Sequence, residues 1–289
     1  MLQTPTKNDL LNRIIDWLEQ HRLINAGLVL LYTGFLLFLH GTFVKLSVDI
    51  MLALGRPLYN LIVGSVSIVL GLAFIGFLVW QVQRHPFLRT SKLIYFFITM
   101  TLMLIHYQFL FELNIEIIHS LQFAGLAFLL YPFTRRFGAA IIMGLPVMIL
   151  DEWYQYMILF PENIIYFDFN DILMDVLGSA LLLCGMWIGG VNTENQPGPF
   201  WQRSELYLLA GMILLTAIGL STCHFARFAF ATCDNTWFVF SQLDNPRQFW
   251  QEHPTHGSIY HVMPPVEGTI VNSIVCLFYM LIDTVEEKT

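Results

Sequence analysis

Long apolar runs separated by short polar segments dominate the chain, at 24–39, 58–79, 93–110, 117–132, 137–160, 172–190, 206–221 and 269–282. A helix that crosses a bilayer needs about 20 mostly apolar residues, since the hydrocarbon core is roughly 30 Å thick and each helical residue rises about 1.5 Å. Several runs fall short and rely on a polar flanking turn to reach both surfaces. The fourth is the weakest, because Glu112, Glu116 and His119 crowd its start. Proline sets several boundaries, as it lacks the amide and clashes with the preceding turn. Pro57 opens the second run, Pro86 closes it, Pro132 ends the fourth and Pro161 ends the fifth. The pattern predicts an all-α fold: a polytopic transmembrane helix bundle of about eight spanning helices, with one extracytoplasmic loop at 222–268. A Pro/Gly tract at 192–201 divides a six-helix bundle (1–191) from two further membrane helices and that loop (192–289).

Composition agrees. Of 289 residues, 56% are hydrophobic and 12% charged, against about 25% charged in a soluble domain. Lipid is therefore the main solvent. The formal net charge of −7 and the lack of any basic cluster exclude a nucleic-acid partner. With no Gly-rich phosphate loop, no Gly-x-Ser-x-Gly elbow and no paired-Cys motif, neither a nucleotide nor any other cofactor is expected. The N-terminal segment has no signal-peptide pattern. With the N-terminus in the cytoplasm, the predicted inner segments hold ten Lys and Arg and the outer ones four, Lys45, Arg56, Arg227 and Arg247. The positive-inside rule then places both termini in the cytoplasm and the long loop outside. Cys223 and Cys233 fall in that loop, where disulfides persist. They are expected to pair, the alternative being two buried thiols. Cys184 and Cys276, in spanning runs, read as packing residues. The loop histidines (His224, His253, His256, His261) have irregular spacing and read as solvated, so no metal site is expected. The loop's aromatic residues suit a lid lying at the headgroup level.

Ionisable groups inside spanning helices cost about 2.5–3.5 kcal/mol each on insertion scales and need a reason. Three sets stand out. The fifth run ends in Asp151, Glu152 and Gln155, the last within one turn of both acids. The sixth opens with Asp168, Asp171 and Asp175, followed by Gly178; Asp168 or Asn170 can cap the helix, whereas Asp175 lies too deep for that. Asp175 and Gly178 mark the expected packing point of the fifth and sixth helices. The fourth run opens with Glu112, Glu116, His119 and Gln122. In the predicted topology all three sets converge near the outer membrane face.

The residues His119 with 122–126 (Gln-Phe-Ala-Gly-Leu), Glu152-Trp153-Tyr154-Gln155, and Asp171 to Gly178 resemble the VanZ-like family of bacterial membrane proteins, over about 112–190. The family pattern has a His opening one helix, a Glu-x-x-Gln on the next, and an Asp followed four later by Asn and seven later by Gly. Here Asp175 stands where the family has Asn, and the Arg that the family carries before its second Asp is missing from 161–170. The resemblance implies a protein of the bacterial cytoplasmic membrane, acting at its outer face in cell-envelope function or resistance to glycopeptide antibiotics such as teicoplanin. On this reading His119, Glu152 and Asp175 form a catalytic acid–base set, and Glu116, Gln122, Gln155 and Asp171 bind the substrate. The partners are membrane lipids or a lipid-linked envelope substrate. Two alternatives stand beside it, a transporter or proton-coupled channel and a purely structural polar clamp.

Overall fold

The structure, a computed structural model, describes residues 9–84, 90–111, 116–159, 166–191, 200–243, 248–252 and 259–284. Among them are nine α-helices: α1 (Asp9–Gln20), α2 (Arg22–Leu54), α3 (Arg56–Arg84), α4 (Thr90–Phe109), α5 (Ile117–Thr134), α6 (Phe137–Tyr154), α7 (Phe169–Ile188), α8 (Ser204–Ser221) and α9 (Pro265–Met280). A π-helical turn, Gln155–Leu159, continues α6, and a 3-10 turn, Leu281–Thr284, continues α9. The eight helices from α2 to α9 are long and apolar enough to cross a membrane. The tract 192–199, Glu112, Pro86, Pro161, His253 and His256 lie outside the described residues.

Two boundaries differ from the sequence reading. The second helix does not stop near Leu39. It continues through Leu54 and ends at Gly55, whose φ of 77° breaks the helix. Gly41, Thr42, Lys45, Ser47 and Asp49 lower the hydropathy of this stretch without interrupting its backbone hydrogen bonds. The resulting rod is about 50 Å long. Pro132, expected to end a helix, lies inside α5. That helix closes instead on Arg135, whose left-handed backbone lets its amide reach Tyr131 O at 2.8 Å.

At the centre stands α7, apolar on nearly every side and 89% buried over its spanning window, whereas α3 is 6% buried and forms the periphery. Helices α4, α5, α6 and α9 pack around α7. Gly178 lets the backbones come close, since a Cβ there would collide with the backbone of Ser120. This corrects the expected packing point: Gly178 meets the fourth spanning helix, α5, rather than the fifth. Ser179 reinforces the same seam, its hydroxyl donating to Phe123 O at 3.0 Å.

One end of the bundle gathers arginines paired with acids. Arg135 reaches Asp16 at 2.6 Å and Glu19 at 2.5 Å on the amphipathic α1, and Arg136 pairs with Glu205 of α8. Burial works against the charge of Arg135, but its hydrogen bonds to both acids outweigh that and hold its pKa above the ordinary value. The first amides of α6 have no cap from their own chain neighbour, Arg136. They are met by Asp283, fully buried after α9, which accepts from Phe137 N at 2.8 Å and Ala139 N at 3.2 Å.

The opposite end carries the long loop. It holds two small sheets: parallel β1 (Phe225–Ala226) with β2 (Phe238–Val239), and antiparallel β3 (Gln251–Glu252) with β4 (Ile259–Tyr260). The loop is sewn to the helix ends by Tyr156 donating to Val239 O at 2.8 Å, Phe167 N to Phe240 O at 2.8 Å and His261 N to Phe109 O at 2.7 Å. Cys223 and Cys233 form a disulfide, and Cys184 and Cys276 are buried free thiols. Closing a loop of this length removes about 2–3 kcal/mol of unfolded-state entropy. Reduction, or Cys233→Ser, is therefore expected to speed protease cleavage within 222–243 while the helices stay intact, as read by limited proteolysis with peptide mapping. An unchanged cleavage pattern would count against the disulfide as the staple of this segment.

Candidate functional site

Three of the expected residues meet at the loop end of the bundle. His119 lies one turn into α5, where the tight seam with α7 sets it facing Asp171 and Asp175. Its Nδ1 is 3.3 Å from Asp175 Oδ1, and its Nε2 is 3.7 Å from Asp171 Oδ2. The acids are four apart on α7 and thus on one face. One imidazole thus stands between two carboxylates, His119 and Asp175 both being buried.

The fifth run supplies the next group. Asp151 Oδ2 lies 3.8 Å from His40 Nδ1, and the His40 and His119 rings are 5.5 Å apart between centroids. His40 was not among the residues singled out from the sequence. It comes from the part of α2 that lies past the apolar run, so a search for ionisable groups within runs passes over it. Gln155, brought round by the π-turn, donates to Asp151 Oδ2 at 3.1 Å. Glu152 is buried and accepts from Asp168 N at 2.8 Å, which ties the end of α6 to the start of α7. Asp168 in turn caps α7, its Oδ1 accepting from Asn170 N at 2.7 Å.

Two further expected residues lie near the start of α5. Glu116 occupies the N-cap of α5 and is half-buried. Gln122, one turn beyond His119, offers its backbone carbonyl to the Tyr32 hydroxyl at 2.8 Å, while its Oε1 is buried without a hydrogen-bond partner.

Asp151 Oδ1 is buried without a hydrogen-bond partner, and His119 Nδ1 and Asp175 Oδ1 face each other at 3.3 Å without a well-aligned hydrogen bond. A buried carboxylate without donors is expensive. Among the described residues no set of three or more His, Cys, Asp or Glu is arranged to hold a metal ion.

In the loop, one histidine departs from the solvated reading. His261 is buried, stacked on Phe249 with centroids 4.0 Å apart, its Nδ1 2.6 Å from Phe249 O and its Nε2 2.8 Å from Glu267 Oε1. Its neighbours are the aromatic side chains that sequence reading placed at the membrane surface, and they supply the burial. Asn170, expected as an alternative cap of the sixth helix, has a different place, since Asp168 is the cap. Buried at the first turn of α7, it donates to Leu110 O at 3.0 Å and His261 O at 2.7 Å and accepts from Met263 N at 3.3 Å.

Fold and site together define an α-helical protein with eight helices suited to a membrane and a buried His/carboxylate cluster at the end covered by a disulfide-linked loop. Comparisons with protein-family models, curated proteins and solved structures give no match.

Proposed function

We propose that the chain is a VanZ-like multi-pass protein of the bacterial cytoplasmic membrane, with both termini inside, acting at the outer face in cell-envelope function or glycopeptide resistance. His119 exchanges a proton with Asp175 or Asp171 while a lipid-linked envelope substrate is held at the cluster. The observation that carries this reading is the placing of one buried imidazole between two carboxylates on the next-packed helix, with His40, Asp151 and Glu152 beside it. The topology is supported by the arginines gathered at one end, Arg135, Arg136 and Arg203, the last reaching Met280 O at 3.3 Å, since Lys and Arg favour the cytoplasmic side. The disulfide at the other end suits an oxidising compartment. The motif residues His119, Glu152, Asp171, Asp175 and Gly178 all lie along the α5, α6 and α7 packing, which supports the resemblance as a unit.

A second reading, a polar clamp, is favoured by one contact. The hydrogen bond from Asp168 N to Glu152 is purely structural in kind. The two readings separate on Glu152→Gln, which keeps an oxygen acceptor for that amide and removes the charge. An acid–base role is worth about 100-fold or more. The variant is thus expected to accumulate at the wild-type level in bacterial membranes and to return the inhibitory concentration of teicoplanin to that of cells lacking the protein. Full retention of protection would sink the acid–base role and leave the clamp.

A further inference from the structure

Helix α1 carries two apolar rows, and the bundle uses one of them. Ile15 and Leu18 are buried, at 0% and 4% exposure, and Leu11 packs against the same core. Leu10, Ile14 and Trp17 make the other row. They stand four and three apart, which puts them on one helix face, and they remain 71%, 40% and 46% exposed. Apolar residues scattered singly over a surface need no partner. A row of three along one helix face calls for one.

Rotation of the helix cannot hide this row. At 3.6 residues per turn it lies about 100° round from the buried row and about 160° from Asp16 and Glu19. Both acids are held by Arg135, just past the end of α5. With the acids pinned and Ile15 and Leu18 packed, Leu10, Ile14 and Trp17 are fixed outward. His21 sets the indole further: its ring stacks on Trp17 with centroids 4.6 Å apart, and its Nδ1 lies 2.8 Å from Trp17 O.

What covers the row follows from where it leads. Past His21 the chain enters α2, whose second and third residues, Leu23 and Ile24, are exposed as well. Helix α2 is long and apolar enough to cross a membrane, whereas α1 has only 12 residues. In the membrane setting proposed for the chain, the row is therefore continuous with a lipid-facing surface. Arg13 and Gln20 form an exposed polar flank beside it. A short helix with one apolar face and a polar flank suits the boundary between lipid headgroups and chains, the level that tryptophan favours. We propose that α1 lies in the plane of the bilayer surface, at the end of the bundle that gathers arginines. Leu10, Ile14 and Trp17 are sunk about 5–10 Å into the lipid there, and Asp16 and Glu19 turn away from it to Arg135. This placement rests on the membrane setting alone and is independent of the His119 cluster.

The test uses the whole protein in phosphatidylcholine vesicles, spin-labelled on one added cysteine at a time: Leu10→Cys, Ile14→Cys, Gln20→Cys, or Val69→Cys on the exposed middle of α3. Cys184 and Cys276 are buried and Cys223 is bonded to Cys233, so the added thiol takes the label. Collisions with oxygen, which concentrates in lipid, and with a water-soluble nickel chelate place each label. Labels at Leu10, Ile14 and Val69 are expected to show a severalfold higher oxygen-to-chelate ratio than the label at Gln20. Labels at Leu10 and Ile14 that meet the chelate as freely as the one at Gln20, with Val69 shielded, overturn the in-plane helix alone. Labels at Leu10 and Ile14 shielded from both reagents are covered by protein, which overturns it equally. A label at Val69 open to the chelate overturns the membrane setting, and the placement of α1 with it.

Discussion

Asp283→Ala is expected to be among the most destabilising single substitutions in the protein. Helix α6 begins without a side-chain cap from its own N-terminal neighbour, and a helix start leaves its first amides without intrahelical partners. Asp283 fills that role from the far end of the chain, accepting from Phe137 N and Ala139 N where water does not reach. Its charge also complements the positive end of the helix dipole. Alanine leaves two buried amides unmet, at about 1–3 kcal/mol each, so the loss is about 2–6 kcal/mol. Unfolding in mixed micelles, followed by tryptophan fluorescence, measures it. Asp283→Asn keeps one acceptor and is expected to lose about half as much. A loss below about 1 kcal/mol for the alanine variant would mean that water or another group serves those amides.

Gly178→Ala is the second. A new Cβ there meets the Ser120 backbone, which has no flexible tip to swing aside. Overpacking of this kind costs about 1–3 kcal/mol, and more where neither side can yield. Here both sides belong to α5 and α7, which share the most extensive helix pairing of the bundle, so about 3 kcal/mol is expected. The same separation carries His119 away from Asp175, so on the proposed function teicoplanin protection is expected to fall along with stability. Gly64→Ala is the control. A Cβ at Gly64 on α3 meets nothing within 4 Å, and a change within about 0.5 kcal/mol is expected. If both variants unfold alike, close approach at Gly178 is not what joins the helices.

Period and run length in the sequence were enough for the eight long apolar helices, because lipid-facing and buried positions are both hydrophobic and leave unbroken runs. The same property hid the far half of α2, where His40, Gly41 and Thr42 end the run but not the helix. It also hid α1, whose polar Asp16 and Glu19 share a short helix with buried Ile15 and Leu18. At the site, spacing along each helix correctly grouped Asp171 with Asp175 and Asp151 with Gln155. Which helices face each other is a different matter, set by contacts far apart in sequence. The partner of Gly178 is decided by Ser120, and His40 reaches Asp151 from more than a hundred residues away. Asp283 carries no local signal at all, since the amides it serves lie at the other end of the fold.

The three hydrogen bonds of the Asn170 side chain have a mechanical consequence. They fasten the end of α4, the tail of the loop and the approach to α9 to a single residue of α7. These pieces therefore cannot swing open like a door at that corner; they shift together, as a plate does. The next residue along the chain is Asp171, which faces His119. A displacement of these joined segments is therefore passed to the residue next to that carboxylate.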